Sequence, residues 1–204
     1  MPYRRTPRVQ ARLDAQRAAV LEAATELLAD RGYAGCSVAA VAERAGIATG
    51  SVYRHFAGKA ELVVELFRGV VGREVEAVRE AAMLPGEPAE RVATIFETFA
   101  RRALKAPRRA YALLAEPVDA PVEAERVVFR RVFREVVTEH IAEGVRSGQL
   151  PPQDAAFTAA ALVGAATEML VGPLTTNDTA GELRPFILRA LGGINAGVEP
   201  RQPK

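Results

Sequence analysis

The sequence predicts an all-α fold, because apolar residues recur every three or four positions along most of the chain. The clearest early stripe, with the spacing of one helical face, is formed by Val20, Ala23, Ala24, Leu27 and Leu28. Runs rich in Ala, Leu, Glu and Arg, which are strong helix formers, dominate the remaining sequence. No segment alternates apolar and polar residues over the length of a strand, so helices alone are expected.

About nine helices are expected, and glycine and proline set their ends. Gly32 follows the first helix at the position where glycine commonly terminates one, and Ser37 is a good N-cap for the second. The expected helices cover residues 12–31, 37–44, 48–54, 58–83, 88–105, 107–115, 121–147, 152–171 and 180–195. The short polar tail over residues 198–204 is expected to be disordered.

The composition indicates a globular protein without a membrane span. The 204 residues suffice for one large or two small domains, and 25% of them are charged. No stretch of about eighteen apolar residues is free of charge, and the amino terminus lacks the apolar core of a signal peptide. A single cysteine, Cys36, excludes an intrachain disulfide and a cysteine-rich zinc site. We therefore expect a reduced, cytoplasmic protein.

Positive charge is concentrated at the start of the chain. Residues 1–60 hold nine Lys and Arg against five Asp and Glu, whereas the remaining residues hold eighteen against twenty. Arg4, Arg5 and Arg8 form a basic amino-terminal arm. This asymmetry favours an anionic partner, of which nucleic acid is the obvious one. A chance imbalance among surface charges is the alternative.

Two short helices joined by a glycine turn form the most informative segment. The first runs through SVAAVAERAG and the second through ATGSVYRHF, which carries only two large apolar side chains, Val52 and Phe56. Most of this second helix is therefore unsuited to a core. The pattern is that of a helix-turn-helix, whose second helix enters the major groove of DNA. A purely structural three-helix bundle is the alternative.

The outward-facing residues of this segment suit contact with DNA. Small residues let the backbone approach a duplex closely, and hydroxyl, imidazole and cationic side chains can bond to bases or phosphate oxygens. Ser37 also stands at a helix N-terminus, where free N–H groups attract anions. The candidate DNA-binding residues are Ser37, Arg44, Thr49, Gly50, Ser51, Tyr53, Arg54, His55 and Lys59.

Residues 37–62, SVAAVAERAGIATGSVYRHFAGKAEL, resemble the DNA-binding signature of the tetracycline-repressor (TetR/AcrR) family. The resemblance includes the glycine–isoleucine turn, the Y-x-H-F ending and a lysine three residues after Phe56, and it covers about residues 14–66 in detail. It implies that Thr49, Gly50 and Tyr53 approach DNA most closely. It also implies phosphate contacts for Ser37, His55 and Lys59.

One departure from the family pattern affects base recognition. Thr49 and Ser51 are smaller than the residues that family members often carry there, and small side chains reach few base edges. Base readout is therefore expected to depend on Arg54, the basic arm or the shape of the DNA.

The resemblance implies a DNA-binding domain over residues 1–57 and a helical ligand-binding and dimerisation domain over residues 58–197. The segment from Phe157 to Leu174 is almost uncharged and rich in Ala and Gly, so another helix can approach it closely. We expect the helices at 152–171 and 180–195 to form a four-helix bundle with their copies in a homodimer. Ordinary core helices of a monomer are the alternative.

Aromatic and polar residues of the middle helices suggest a small-molecule site, since such sites are mostly apolar with a few polar groups. The candidate ligand-binding residues are Phe67, Phe96, Glu97, Phe99, Tyr111, Phe129, Phe133 and Glu168. The expected effector is apolar or amphipathic, and cationic if Glu97 is buried. An ordinary aromatic core is the alternative.

The sequence contains no recognisable catalytic set or phosphate loop, so an enzyme and a cofactor are not expected. His140, with Glu139 and Glu143, lacks a second histidine for a metal site. Cys36 beside Ser37 is either a redox sensor of DNA binding or an inert packed thiol.

The predicted function is a ligand-responsive repressor that binds a palindromic operator as a homodimer and is released by a small effector. A constitutive DNA-binding protein without an effector, and an enzyme with an incidental helix-turn-helix, are the rivals.

Overall fold

The computed structural model describes residues 6–171 and 179–192, and within these ranges the chain forms helices and no strand. The predicted all-α fold is confirmed. The helices are α1 (Pro7–Gly35), α2 (Val38–Arg44), α3 (Thr49–Val52), α4 (Lys59–Ala82), α5 (Pro88–Leu104), α6 (Pro107–Leu114), α7 (Ala120–Arg146), α8 (Ala155–Val171) and α9 (Thr179–Ala190). Arg4 and Arg5 of the predicted arm, residues 193–195 of the predicted last helix and the tail over 198–204 lie outside the described residues.

Two helices differ from their predicted limits for physical reasons. α1 does not end at Gly32, where φ is 70° and ψ is −171°, because helical residues resume after this kink and continue to Gly35. α8 begins at Ala155, later than predicted. Asp154 caps it, since Asp154 Oδ1 accepts hydrogen bonds from the N–H groups of Ala156 and Phe157 at 2.9 and 3.0 Å.

The chain divides into two compact units, each built from two stretches of sequence. The first contains Met1–Arg73 and Ala106–Phe129, and the second contains Glu74–Lys105 and Arg130–Lys204. α4 and α7 contribute to both units, because a division falls within each of them. The functional boundary predicted between residues 57 and 58 stays a prediction.

The core of the first unit is built on the apolar stripe predicted for α1. Val20, Ala24 and Leu27 are at most 1% exposed, and α1 packs against α2 and α6. α3 adds Val52, and the residues after it add Phe56, with exposed fractions of 0% and 2%. Burial of a side chain such as Phe56 contributes about 1.5–3 kcal/mol, so a four-residue helix is held firmly by its neighbours.

The second unit is centred on α5, which packs against α8 and α9. Ile95 and Phe96 of α5 are fully buried, as is Ile187 of α9. The α5–α9 pair also carries ion pairs, because the Arg184 guanidinium contacts the carboxylates of Glu90 and Glu97. These ion pairs lie at a partly exposed edge and stabilise it modestly.

Candidate DNA-binding site

The turn between α2 and α3 is built as a helix-turn-helix requires. Ser37 caps α2 by accepting a hydrogen bond from the Ala40 N–H at 3.1 Å. At the other end of α2, Gly46 has a φ of 66°, and the Ile47 N–H donates to the Ala42 carbonyl oxygen at 3.0 Å. This pattern ends a helix with a left-handed glycine and redirects the chain into α3.

α3 has one buried face and one exposed face. Val52 is fully buried, whereas Thr49, Gly50, Tyr53 and Arg54 are exposed. Tyr53 is 55% exposed despite its large ring. A Cβ atom at Gly50 would meet no heavy atom within 4 Å, so the backbone there is open to an approaching duplex. Ser51 is half-buried.

His55 is held in place by a residue of α1. Its Nε2 atom lies 3.1 Å from Gln16 Oε1, within hydrogen-bonding distance. The neighbouring Phe56 ring is covered by the Arg17 guanidinium, whose carbon lies 5.1 Å from the ring centroid. Arg17 also pairs with Glu65 of α4 at 2.6 Å. The start of α1 and the start of α4 therefore fix the segment that follows α3.

Lys59 begins α4 above an aromatic ring. Its Nζ atom lies 3.8 Å from the centroid of Tyr33, the distance of a cation–π contact. The Tyr33 ring is buried, and Lys59 itself is half-buried. The contact orients the ammonium without neutralising it, so Lys59 remains suited to a phosphate.

Arg44 is already paired with two carboxylates. Its Nη1 atom lies 3.0 Å from Glu26 Oε2, and its Nη2 atom lies 3.2 Å from Asp30 Oδ2. Hydrogen bonds to Glu26 and Asp30 raise the pKa of the Arg44 guanidinium. A phosphate contact by Arg44 would therefore compete with these ion pairs. Arg8, the described residue of the basic arm, is exposed on α1.

Gln16 and Tyr33 position candidate DNA-binding side chains, although neither was predicted as a site residue. Gln16 lies 39 positions before His55, and Tyr33 lies 26 before Lys59, so no local spacing connects them. A local signal for Tyr33 is its large aromatic side chain directly after Gly32, the predicted end of the first helix.

The candidate ligand-binding residues are divided between the two compact units. Phe67, Tyr111 and Phe129 belong to the first, and Phe96, Glu97, Phe99, Phe133 and Glu168 belong to the second. Within the second, the ring centroid of Phe133 lies 5.5 Å from that of Phe96 and 5.0 Å from that of Phe99. Glu97 is paired with Arg184 at 3.3 Å. Tyr111 and Glu168 are exposed, whereas Phe67 and Phe129 are buried.

The Cys36 thiol has the environment of a packed side chain. It is fully buried, its Sγ atom lies 3.8 Å from the Ala24 carbonyl oxygen, and burial raises the pKa of the thiol to about 11. A thiol that stays protonated and inaccessible reacts slowly with oxidants. These features favour the inert alternative for Cys36.

The described residues contain neither a candidate metal site nor a membrane-spanning helix. No group of three or more His, Cys, Asp or Glu side chains there is placed to hold a metal ion. None of the described helices combines the length and the apolar character needed to cross a bilayer.

Residues 20–66 match the model of the family described as bacterial regulatory proteins, tetR family. The HTH-type transcriptional repressor KstR2 of Mycobacterium tuberculosis is 36% identical over 89 residues, which are 44% of this chain and 44% of that protein. The match thus spans less than half of the relative's length.

Two solved structures are similar over most of this chain. The regulator FadR from Bacillus subtilis, in complex with stearoyl-CoA, has a TM-score of 0.75 and 18% identity, covering 87% of this chain and 98% of that one. A TetR/AcrR-family regulator from Thermobifida fusca has a TM-score of 0.68 and 25% identity, covering 87% and 96%. These likenesses extend the shared fold beyond the amino-terminal match.

Proposed function

Because the chain belongs to the TetR family of bacterial regulatory proteins, we propose that it is a ligand-responsive transcriptional repressor that binds a palindromic operator as a homodimer. The strongest support is the exposed surface formed by α3 and the two residues that follow it. Thr49, Gly50, Tyr53 and Arg54 are exposed there, while Val52 and Phe56 anchor the helix from behind. Such a helix enters the major groove and presents its first residues to base edges.

Phosphate contacts would come from the residues around α3. Ser37, His55 and Lys59 lie at the two ends of the helix-turn-helix, each held by a neighbouring contact. Side chains fixed in advance lose little conformational entropy when they bind. Arg44 is a weaker candidate, because it must exchange Glu26 and Asp30 for a phosphate.

The outer face of α8 supports a homodimer. Phe157 is 74% exposed, and Ala160, Ala161 and Gly164 are exposed along the same helix. A second helix can approach small residues closely, and apolar residues favour burial. α9 packs beside α8 within the second unit, so two copies of this pair would form a four-helix bundle. The dimer would bind two half-sites about one helical turn apart.

The effector is proposed to be an amphipathic small molecule, with acyl-CoA thioesters as the first class to test. The structurally similar FadR was solved with stearoyl-CoA, and KstR2 is named a repressor. Within the second unit, the Phe96, Phe99 and Phe133 rings supply an apolar environment. Arg184 neutralises Glu97, which removes the reason to favour a cationic ligand. A repressor of this kind would act on DNA in the cytoplasm.

Effector binding would change the spacing of the two DNA-binding heads. α4 begins at Lys59 in the first unit and ends at Ala82 in the second, so this helix belongs to both units. A coupling free energy of about 1–3 kcal/mol suffices to lower operator affinity roughly 5- to 150-fold. An unchanged distance between labels on the two α3 helices, with effector bound and absent, would contradict this mechanism.

Selection of bound sequences from random duplex DNA tests the DNA-binding proposal. The purified full-length protein is expected to enrich a palindrome whose half-sites lie about one helical turn apart. Enrichment of a single unrepeated site would contradict the dimer, and no enrichment at low salt would contradict DNA binding itself.

A thermal-shift panel of acyl-CoA thioesters separates a sensor from a constitutive DNA binder. An effector present at 100 times its Kd should raise the free energy of unfolding by about 2.7 kcal/mol, and it should also release the selected duplex. A panel that stabilises nothing would favour the constitutive alternative. Turnover of any panel member would instead favour the enzyme alternative.

A further inference from the structure

We propose that the α6–α7 connection, residues 115–119, positions the helix-turn-helix for DNA by holding the kink in α1 through Glu116 and Asp119. This inference rests on the proposed DNA-binding function. All of the residues involved belong to the first compact unit. The kink lies at Gly32, five residues before the Ser37 cap of α2, so its geometry sets the path of the chain into the helix-turn-helix.

Glu116 binds the N–H groups that the kink frees. Its Oε2 atom accepts a hydrogen bond from the Tyr33 N–H at 2.7 Å, and its Oε1 atom accepts one from the Ala34 N–H at 3.2 Å. One carboxylate therefore bridges two consecutive N–H groups and restarts the helix after Gly32. Hydrogen bonds to a charged acceptor are the strong kind.

Two features favour glycine at position 32. Its φ of 70° lies in the left-handed region, which favours glycine. A Cβ atom there would also lie 2.8 Å from Glu116 Oε2. The kink and the carboxylate therefore fit each other closely.

Asp119 holds the side chain of the same tyrosine. The Tyr33 hydroxyl donates a hydrogen bond to Asp119 Oδ2, and burial together with this bond raises the pKa of Tyr33 to about 12. The hydroxyl thus remains a donor over the whole range of working pH. The Lys59 Nζ atom lies over the face of the Tyr33 ring, 3.8 Å from the ring centroid. Tyr33 thereby joins the connection to a proposed phosphate-binding residue.

Two arginines hold the α6–α7 connection and the end of α1 in place. Arg126 is 4% exposed, and its Nη2 atom donates to the Glu116 carbonyl oxygen at 2.8 Å while its Nε donates to that of Leu113 at 2.9 Å. On α6, Arg108 donates to the Asp30 carbonyl oxygen, just before the kink. The end of α1 is thus held on both sides of Gly32 by residues 78 and 83 positions later in the sequence.

Operator affinity of full-length variants tests the proposal, measured by fluorescence anisotropy on the selected duplex at a temperature where circular dichroism shows each variant folded. Glu116→Ala should weaken binding about tenfold or more, because two charge-assisted bonds are lost. Tyr33→Phe, which removes one hydroxyl, should weaken it roughly 2- to 10-fold. Glu116→Gln keeps acceptor oxygen and should fall between wild type and Glu116→Ala. Glu87→Ala is the matched control and should bind as wild type, since Glu87 is exposed and its side chain makes no capping hydrogen bond.

The salt dependence distinguishes positioning from direct contact. Glu116 and Tyr33 would touch no phosphate, so the slope of log affinity against log salt should equal that of wild type in each variant. Folded Glu116→Ala and Tyr33→Phe proteins that bind within twofold of wild type would overturn the proposal. If Glu116→Ala does not fold, Tyr33→Phe and Glu116→Gln decide the question in the same way. A wild-type protein that binds no duplex would instead contradict the proposed function.

Discussion

At the residue scale, Lys59 shows that packing can fix the position of a charged group without neutralising it. The Tyr33 ring restrains its ammonium at 3.8 Å, at the first turn of α4 and close in sequence to α3. A cation over an aromatic face keeps its full charge. Lys59 is therefore expected to contribute electrostatically to every duplex, whatever its sequence.

Replacement of Lys59 by alanine should weaken binding to the selected operator and to unrelated duplex DNA by similar factors. One phosphate contact is lost, so the slope of log affinity against log salt should become shallower by about 1. Anisotropy titrations at several salt concentrations measure this slope. Lys105→Ala removes an exposed lysine of the second unit as a control. An unchanged slope for Lys59→Ala would remove Lys59 from the set of phosphate contacts.

His140 shows the opposite case, in which packing disfavours a charge. Burial lowers the pKa of His140, and the Arg91 guanidinium of α5 lowers it further, although Glu143 and Glu139 of its own helix act in the other direction. Its buried Nδ1 atom has no hydrogen-bond partner among the described residues, and Glu143 Oε2 lies 3.7 Å away. His140 therefore binds its second ring proton less tightly in the folded chain than in the unfolded chain.

Stability should consequently fall as the pH is lowered through 6.5, the ordinary pKa of histidine, towards the lower pKa of folded His140. In that window the unfolded state binds more protons, so the free energy of unfolding decreases by at most about 1.4 kcal/mol per pH unit for this one group. Urea unfolding between pH 7.5 and 5.5 measures the slope. His140→Gln should flatten it, and an equal slope in this variant would contradict the assignment. Glu143, whose pKa is lowered mainly by Arg91, acts only at more acidic pH.

At the element scale, α4 contains two glycines that its packing does not require. A Cβ atom at Gly69 or at Gly72 would meet no heavy atom of the described residues within 4 Å, and both residues are exposed. Glycine inside a helix costs conformational entropy relative to alanine. These positions therefore weaken the helix that links the two units.

Gly69→Ala and Gly72→Ala should each raise the free energy of unfolding by about 0.5–1 kcal/mol. Chemical denaturation measures the change. Gly144→Ala is the contrasting variant, because its Cβ would lie 2.6 Å from Leu150 Cδ1 and 2.9 Å from Pro88 Cβ, and it should destabilise the protein. Loss of stability in both α4 variants would show that the space around these glycines is not open.

The elements also show what a sequence can and cannot predict. α2, its Ser37 cap and the anchors Val52 and Phe56 were predictable, because caps and apolar spacing are local signals. The continuation of α1 past Gly32 was not, since Glu116 lies more than eighty residues away. The limits of the later helices were predicted to within a few residues. The candidate ligand residues were chosen by residue type, which does not reveal that they fall into two compact units.

At the scale of the whole molecule, the proposed function needs two copies of the chain. The exposed apolar face of α8, with Ala160 and Gly164 at its centre, is the surface that supports this assembly. Each copy supplies one α3, and a palindrome needs two.

Replacing Ala160 or Gly164 by glutamate should therefore dissociate the dimer into monomers. Ala160→Glu and Gly164→Glu would place a charge and a larger side chain in a close helix contact, which disfavours association. Sedimentation equilibrium should show monomers, and affinity for the palindrome should fall while the helical content is kept. Ala124→Glu, on an exposed position of α7, should remain dimeric. Dimers that persist in both α8 variants would place the interface elsewhere.

Affinity for the selected duplex tests most directly whether α3 and the two residues that follow it read DNA. In Tyr53→Ala/Arg54→Ala both replaced side chains are exposed, so we expect an unchanged melting temperature and binding at least about tenfold weaker. The matched control, Leu84→Ala/Arg101→Ala, removes exposed side chains of the second unit and should bind as wild type. A Tyr53→Ala/Arg54→Ala protein that binds the duplex as tightly as wild type would contradict the claim that α3 reads DNA.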